Sequence, residues 1–547
     1  MLLRICLKSF LSIVIAAGNL WAQQSGAASS SPDLFQISGM LVDSKTSQPI
    51  AGARVALFQV TQRDAGAVMI TGPEGAFAFA GLSAGKYRLS AHARGYALRS
   101  FNQHEQFASA IAVGPDLDST HLLFRLPREC SISGVITDEA DEPVRNAEVI
   151  LYVAERTGSG GATRRTGETV TDDEGTYRIR HLSSGRYLLA VKARPWYAQH
   201  WQHAPGASPQ DEAAIEQNNR LMDVAYPVTF NGSVTDASAA SLIFLGDGDQ
   251  ATADIALQPV PAARLPLNVD IGVSDPRVQV VLEQHVMDGH SLQGMSIENS
   301  SNGARALVGL APGRYSLRTF TSGSADAESV SREIEVSPNG SIETKPPTLT
   351  YGILSAEVHL GPGSTGPANL RLLEKNLEEA VSGKVGTDGK VAFPRGIAPG
   401  SYEIALASGS GVYVKSIAAA GASLTGRTIN IRPGTPVKLT VTTALGEGTV
   451  SGLALLKDKP HGGAMIVLVP ADPANNHVLF RRDQSNTDGS FILRYVVPGA
   501  YTVLAMEDWE IDWMDPDVLK RYLGLGTAVQ VQPNGSYDLK VAVQGIR

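Results

Sequence analysis

The segment Asp172-Asp173-Glu174-Gly175-Thr176-Tyr177-Arg178-Ile179-Arg180-His181-Leu182-Ser183-Ser184-Gly185-Arg186-Tyr187 contains a turn glycine, a second glycine ten residues later and a tyrosine two residues after that. This frame occurs five times, and the copy at position 389 has one extra residue: Gly75, Gly85, Tyr87; Gly175, Gly185, Tyr187; Gly303, Gly313, Tyr315; Gly389, Gly400, Tyr402; and Gly489, Gly499, Tyr501. With 55 glycines and 15 tyrosines in 547 residues, chance would give roughly 0.2 copies of the spacing. The frame therefore marks a structural repeat.

The residues around each frame alternate between apolar and polar, as expected for half-buried strands. Phe77 and Phe79 follow the first glycine two and four positions later, which places them on one face of a strand. Glu-Gly, Asn-Gly and Asp-Gly pairs at the first bend tolerate positive φ and predict a hairpin there. Further hairpins are predicted at the ends of repeats, at 336–340, 431–434 and 531–535. Short strands with glycine and proline turns indicate antiparallel β-sandwiches.

The fold class predicted from these patterns is all-β, a tandem array of about five Ig-like or transthyretin-like antiparallel β-sandwich domains. The predicted sandwiches span 35–127, 128–262 with an insertion at 195–231, 263–347, 348–446 and 447–547. Residues 1–22 are predicted to be a signal peptide and residues 23–34 a flexible segment. Repeats of this length can each bury a core of their own.

The signal peptide prediction rests on a basic start, Arg4 and Lys8, an apolar run, and a small residue at the expected cleavage point. An uncleaved anchor helix is the alternative. Removal of the peptide changes the formal net charge from −8 to −10, which makes nucleic acid and anionic lipid poor partners. The expected location is secreted, periplasmic or outer-membrane-associated, with no transmembrane segment after signal removal.

The segments Ile132-Ser133-Gly134-Val135-Ile136-Thr137-Asp138 and Ile37-Ser38-Gly39-Met40-Leu41-Val42-Asp43, each followed by a Pro-x-x-x-Ala-x-Val stretch and the frame, resemble the carboxypeptidase regulatory-like domain. The resemblance implies a transthyretin-like sandwich, grouped with starch-binding-like and collagen-adhesin B-type repeats. It covers nearly the whole mature chain, closely in the first two repeats and weakly in the first halves of the third and fourth. Such modules accompany peptidases, transporters and adhesins, so the fold does not determine the activity.

Catalytic and metal-binding motifs are weak in this sequence. No histidine is followed by glutamate three residues later, as a zinc carboxypeptidase would need, so no peptidase activity is predicted. His200 and His203 form a His-x-x-His pair without further ligands nearby, and 246–249 reads as a solvated turn more readily than as a calcium loop. We therefore predict no enzyme activity, no metal and no cofactor; an enzyme with an unfamiliar site is the remaining alternative. Cys130 is predicted to be a buried apolar residue near the start of a strand; the alternatives are an intermolecular disulfide and a reactive thiol.

The tryptophans that remain after signal removal all follow a frame tyrosine. Together with neighbouring tyrosines they form the candidate ligand-binding set: Trp196, Tyr197, Trp201, Trp509, Trp513 and Tyr522. Flat aromatic faces beside carboxylates and amides are suited to sugar rings. The alternative is that these rings cap the sandwiches or fill junctions between them. Helical spacing after both tryptophan pairs, at 211–221 and 516–523, predicts short helices there.

Two function hypotheses follow. The first is a non-catalytic extracytoplasmic binding protein for a carbohydrate polymer, held through the aromatic loops. The second is a structural or adhesive cell-surface stalk that contacts other proteins, with the tryptophans buried at junctions.

Overall fold

The computed structural model describes residues 34–545 apart from 62–65, 155–162, 199–207, 209, 211–213, 216, 219–221, 268–277, 288–289, 294–295, 300–304, 322–329, 339, 345–353, 362–367, 375–376, 378, 394–396, 398, 410 and 433–434. In these ranges strands predominate and form many separate sheets. The predicted all-β class is confirmed. The signal peptide and the 23–33 part of the flexible segment lie outside the described residues.

The first sandwich consists of β1 (Phe35–Asp43), β2 (Arg54–Gln59), β3 (Gly66–Ile70), β4 (Ala76–Leu82), β5 (Gly85–His92), β6 (Arg99–Ser100), β7 (Ile111–Val113) and β8 (Leu122–Leu126). One sheet has the order β4-β1-β8 and the other β3-β2-β5-β6, with β7 also paired to β5. Their inward side chains, including Leu41, Val55 and Phe77, form one buried core.

The second sandwich consists of β9 (Cys130–Thr137), β10 (Glu148–Ala154), β11 (Thr163–Val170), β12 (Thr176–Leu182), β13 (Gly185–Lys192), β14 (Val224–Ala225), β15 (Thr229–Phe230), β16 (Ile243–Leu245), β17 (Gln250–Thr252), β18 (Ile255–Ala256) and β19 (Val260–Pro261). Its main sheets are β12-β9-β17 and β11-β10-β13-β15. Most of the predicted helix at 211–221 lies outside the described residues.

The third sandwich consists of β20 (Ala263–Pro266), β21 (Val278–Met287), β22 (His290–Gln293), β23 (Ser296–Asn299), β24 (Arg305–Leu310), β25 (Gly313–Thr321), β26 (Val330–Val336) and β27 (Ile342–Thr344). The fourth consists of β28 (Leu354–His359), β29 (Asn369–Leu373), β30 (Glu379–Val385), β31 (Val391–Ala392), β32 (Gly400–Ala407), β33 (Val412–Ala420), β34 (Ser423–Thr425), β35 (Thr428–Ile431) and β36 (Val437–Leu445). Each encloses its own apolar core.

The fifth sandwich consists of β37 (Gly448–Leu456), β38 (Lys459–Pro460), β39 (Met465–Pro470), β40 (Arg481–Gln484), β41 (Ser490–Val496), β42 (Gly499–Met506), α1 (Pro516–Leu523), β43 (Thr527–Val531) and β44 (Ser536–Gln544). The helix predicted at 516–523 is confirmed as α1, which begins after an Asp515 side-chain cap and carries proline at its first position. No helix within the described ranges has the length and apolarity needed to cross a membrane.

The predicted hairpin at the first bend of the frame is wrong in the first, second and fifth sandwiches. There the bend carries the chain from one sheet to the other: β3 pairs with β2, whereas β4 pairs with β1. Gly75 adopts φ +69° and its carbonyl accepts a hydrogen bond from Leu41 N of the opening strand. A turn glycine permits either geometry, so its presence did not distinguish a hairpin from a crossing between sheets. The hairpin prediction is confirmed in the fourth sandwich, where β30 pairs with β31.

The hairpins predicted at 431–434 and 531–535 are also wrong, because the closing strand does not pair with the strand that precedes it. β43 pairs with β42, whereas β44 lies parallel to the opening strand β37. Closing strands lie parallel to opening strands in the first, second and fourth sandwiches as well. The hairpin predicted at 336–340 is confirmed, since β26 pairs with β27.

In the first, second and fifth sandwiches the opening strand carries a glycine at the point where the closing segment passes closest to it. A Cβ atom on Gly39, Gly134 or Gly452 would lie 2.1, 2.2 and 2.1 Å from a carbonyl oxygen of the closing segment. These oxygens belong to backbone that is itself held in the sheet, so it cannot move aside without breaking strand pairing. The motif Ile-Ser-Gly therefore encodes close contact between two strands far apart in sequence.

The frame tyrosine fixes the second corner. Its ring is buried and its hydroxyl donates to the carbonyl four residues earlier, in the pairs Tyr87 to Ser83 (2.9 Å), Tyr187 to Ser183 (2.8 Å), Tyr315 to Ala311 (2.6 Å) and Tyr501 to Val497 (2.7 Å). A buried phenol is thereby satisfied without water, and the corner is closed by its own side chain.

We predict that Gly134→Ala destabilises the second sandwich by about 1–3 kcal/mol, because the new methyl group overlaps the Ala253 carbonyl. Gly167→Ala on β11 is the matched control, since the nearest atom to its Cβ would be 3.8 Å away. Differential scanning calorimetry of the full chain should show one transition shifted down in the first variant and none in the control. Equal transition temperatures for both variants would contradict the steric argument.

Candidate functional site

The aromatic loop of the second sandwich presents one ring to solvent. Trp196 is 73% exposed, and its ring meets that of Tyr197 edge-on, with centroids 5.7 Å apart. Trp201, together with His200 and His203, lies outside the described residues. Of the aromatic residues predicted here, the structure thus places two side by side, with Trp196 accessible to a ligand.

Tyr197 is held in place by a carboxylate from the loop between β9 and β10. Its hydroxyl donates to Glu139 Oε1 at 2.5 Å, and Tyr226 donates to Glu139 Oε2 at 2.8 Å. Burial would raise the pKa of Glu139, but these two hydrogen bonds outweigh it and lower the pKa. Burial and the bond to Glu139 raise the pKa of Tyr197 to about 12. Glu139 therefore stays ionised and acts as a clamp between the two phenols.

The aromatic residues of the fifth sandwich surround a guanidinium group. The side chain of Arg482 is only 5% exposed, and its guanidinium carbon lies 4.3 Å from the ring centroid of Trp513 and 5.8 Å from that of Trp509. Trp509 Nε1 donates to Gly463 O at 3.0 Å. Tyr522, on α1, is partly buried against the apolar cluster that contains both tryptophans. These rings are part of the packing of the sandwich.

The first sandwich completes this cluster. His104 stacks on Trp509 with centroids 4.6 Å apart and planes 6° apart, and Phe107 lies 4.8 Å from the guanidinium carbon of Arg482. Arg482 also pairs with Glu105 of the first sandwich. The candidate residues Trp509 and Trp513 therefore lie at a junction between the two ends of the chain, as the alternative interpretation of the sequence expects.

Hydrogen bonds extend the same junction along β40 and the bend that follows it. Gln484, which is 1% exposed, donates to Ser109 Oγ at 2.8 Å and to Asn102 O at 2.5 Å. Thr487 N donates to Ala110 O at 3.1 Å. The bend of the fifth frame thus pairs with the segment preceding β7, and the polar groups buried there are satisfied across the junction.

A second junction joins the first and second sandwiches at Asp43, which ends β1. This carboxylate is 1% exposed and accepts hydrogen bonds from Arg128 Nε at 2.7 Å, Tyr96 Oη at 3.0 Å and two backbone amides. Burial alone would raise the pKa of Asp43, but the hydrogen bonds lower it well below its ordinary value. Ser44 and Lys45 extend the junction by reaching the acids of the 246–249 turn.

The fourth and fifth sandwiches meet at a buried carboxylate. Glu403 on β32 is 4% exposed; it accepts a hydrogen bond from Val478 N at 2.8 Å and lies 3.1 Å from His477 Nδ1. Neighbouring sandwiches are thus joined by specific polar contacts as well as by the connecting chain.

An open groove crosses the outer face of β12-β9-β17. Arg178 and Arg180 line it together with Thr176, Ser133 and Thr252 and with the acids Asp172 and Asp254. The corresponding positions of the first sandwich, given by the strand register, are the alanines Ala78 and Ala80. Sequence analysis did not single out these arginines, although a comparison of the two aligned frames shows the difference.

In the described part of the chain, no group of three or more histidine, cysteine, aspartate or glutamate side chains is placed to hold a metal ion. Cys130 is buried at the start of β9; burial raises the pKa of its thiol, which contacts Gly246 O at 3.0 Å.

Comparisons with known proteins identify the N-terminal repeats. The family model described as the carboxypeptidase regulatory-like domain matches residues 36–119 and 131–213, so this domain occurs twice in the chain. No curated protein matches the chain.

Matching solved structures include proteins from three bacteria. The Bacillus anthracis TIE protein is 11% identical, with 95% of this chain and 76% of that chain covered and a TM-score of 0.18. The minor pilin GBS52 of Streptococcus agalactiae is 14% identical (41% and 96% covered, TM-score 0.21). The major pilin SpaD of Corynebacterium diphtheriae is 12% identical (56% and 91% covered, TM-score 0.16). At these values no function is transferred from them.

We predict that Asp43→Asn lowers the free energy of unfolding of the first sandwich by about 2 kcal/mol or more at neutral pH, since hydrogen bonds to charged groups contribute about 1.5–3 kcal/mol each. Because the folded pKa lies below the ordinary value of 3.8, the contribution of the charge is complete above that pH and is lost as pH falls through the lower, folded pKa. The difference between wild type and variant should shrink in that acidic window.

Calorimetry at a series of pH values measures this difference. Asp138→Asn is the control, because Asp138 occupies the matching position in the second sandwich and accepts hydrogen bonds from the backbone amides of Ala140 and Glu142, with no ion pair to it among the described residues. A pH-independent difference for Asp43→Asn would contradict the assignment.

Proposed function

We propose that this protein is a non-catalytic, extracytoplasmic structural or adhesive protein whose sandwiches make protein–protein contacts. The observation that carries the proposal is the packing of Trp509 and Arg482 against His104 and Phe107 of the first sandwich, with Trp513 behind the guanidinium group of Arg482. Aromatic rings and arginine are the side chains that protein–protein interfaces favour. In this chain they already serve one such contact.

The titratable groups with shifted pKa support the non-catalytic part. Asp43 is held by Arg128 and Tyr96 at a junction, and Glu139 is held by two phenols. The lowered pKa values of these two carboxylates are thus accounted for by hydrogen bonds with a structural role. A catalytic site would bring several such groups together in one cleft.

The export of the chain is part of the proposal and rests on the pattern of residues 1–22. A membrane-impermeant biotinylation reagent should label the protein on intact producing cells, and deletion of residues 2–22 should abolish that labelling while the protein remains detectable in lysates. Cells that display the protein should also adhere to each other or to a matrix protein more strongly than cells that carry the deletion. A wild-type protein that is labelled only after cell lysis would contradict the proposal.

Carbohydrate binding is the second candidate function, and the exposure of Trp196 favours it. A ring that is 73% exposed beside the edge of Tyr197 offers an apolar face for a sugar. This reading is confined to the second sandwich, because the tryptophans of the fifth are packed at the junction.

A glycan array probed with the full chain tests this second candidate. Trp196→Ala should weaken any binding about tenfold, the value expected for loss of one stacked ring. Phe244→Ala is the matched control, because Phe244 lies in the same sandwich and is 69% exposed. Equal binding by wild type and Trp196→Ala would remove Trp196 from a sugar site.

A further inference from the structure

The contact between the first and fifth sandwiches joins residues that are far apart in sequence. The hydrogen-bonded pairs Ser109–Gln484 and Ala112–Thr487 are each separated by 375 positions. In the described residues no strand is shared between these two sandwiches, and each has its own core. The contact is therefore an interface between two independently packed bodies.

The two faces of this interface match each other through their own side chains and backbone groups. On the fifth sandwich the face consists of Arg482, Gln484, the 485–490 bend and Trp509; on the first it consists of 102–112 and Lys86. Ser109 Oγ donates to Ser485 O at 2.8 Å, and Ala110 N donates to Asn486 Oδ1 at 3.0 Å. None of these contacts depends on the covalent connection between the two sandwiches.

We propose that the face of the fifth sandwich that receives the first sandwich is also a docking site for the first sandwich of a second copy of the chain. An identical first sandwich offers the same Glu105, Ser109 and His104, so every contact seen within one chain can form between two. This inference rests on the proposed function and deepens it by naming a partner.

Closure within a chain and docking between chains compete for the same groups. The intramolecular contact has the advantage of a high effective concentration, so a dilute chain closes on itself. The interface is largely polar, as in contacts between domains that separate and reform. Arg482 Nε is buried with no hydrogen-bond partner among the described residues, and this donor stays unsatisfied in either arrangement.

The symmetry of the contact determines which kind of oligomer forms when copies dock. The two faces differ, so the interface is heterologous and continues from one copy to the next, unless two copies exchange reciprocally and close into a pair. An adhesive or structural protein can use such head-to-tail contacts to connect its copies.

Variants with reversed charges can distinguish docking between two copies from the contact within one chain. One full-length variant carries Lys86→Glu and Glu105→Arg on the first sandwich; the other carries Arg482→Glu and Asp488→Lys on the fifth. Either variant alone places like charges at both the Glu105–Arg482 and the Lys86–Asp488 contacts. In an equimolar mixture, each first sandwich faces a fifth sandwich of opposite charge on the other chain.

The molar mass of each sample is measured by light scattering after size-exclusion chromatography. Each variant alone should have the mass of one chain, and the mixture should contain a species of twice that mass. The variant with all four changes, in which the charges match again within one chain, is the control and should behave as wild type. A mixture that stays at the single-chain mass while circular dichroism shows both variants folded would overturn the proposal.

Because Arg482 is buried, Arg482→Glu could itself unfold part of the fifth sandwich. The pair Lys86→Glu and Asp488→Lys is therefore tested separately, since these side chains are 38% and 23% exposed. Its mixture should show the same doubling, weaker and lost at high salt, and a single-chain mass at low salt would count against the proposal. Both results can be obtained whether or not the protein is displayed on cells, which keeps this test separate from that of the proposed function.

Discussion

The contact on which the first, second and fifth sandwiches depend is the parallel pairing of their opening and closing strands across a glycine. The closing backbone lies so near Gly39, Gly134 and Gly452 that a side chain has no room. This close contact joins the first and last strands of a sandwich independently of its loops. The turn glycine of the frame then hydrogen-bonds to the opening strand through its carbonyl, and the frame tyrosine closes the next corner. Loops attached to such a frame can vary without affecting the pairing.

Much of this architecture was predictable, and the errors have a common physical cause. Alternation shows which side chains share a face, so the strands, the cores and α1 could be located. It does not show which strand lies alongside, because glycine with positive φ fits a hairpin and a sheet crossing equally well. The bulge residues His181 and Tyr495, with φ +59° and +57°, could not be predicted either, since their residue types give no such signal. The predicted domain boundaries stay predictions.

The sequence allowed us to predict which aromatic residues belong to the candidate site, but it did not allow us to predict what surrounds them. Trp509 and Trp513 were singled out by position, yet their partners His104 and Phe107 lie some 400 residues away, beyond the reach of local patterns. One local signal did exist: Met465 to Val469 is apolar at successive positions and buried throughout. A strand of this kind is covered on both faces, and in the structure α1 and the tryptophan loop cover its outer side.

The docking of the first sandwich on the fifth turns the linear array into a closed loop of chain. A single cut in the backbone between these two sandwiches would therefore leave fragments that remain associated through Arg482, Gln484 and the groups they contact. A pulling force applied at the two ends would likewise load this contact before it reached the strands of the third and fourth sandwiches. The contact between the first and fifth sandwiches thus makes the protein tolerant of a backbone cut and gives it a defined point at which it first yields to force.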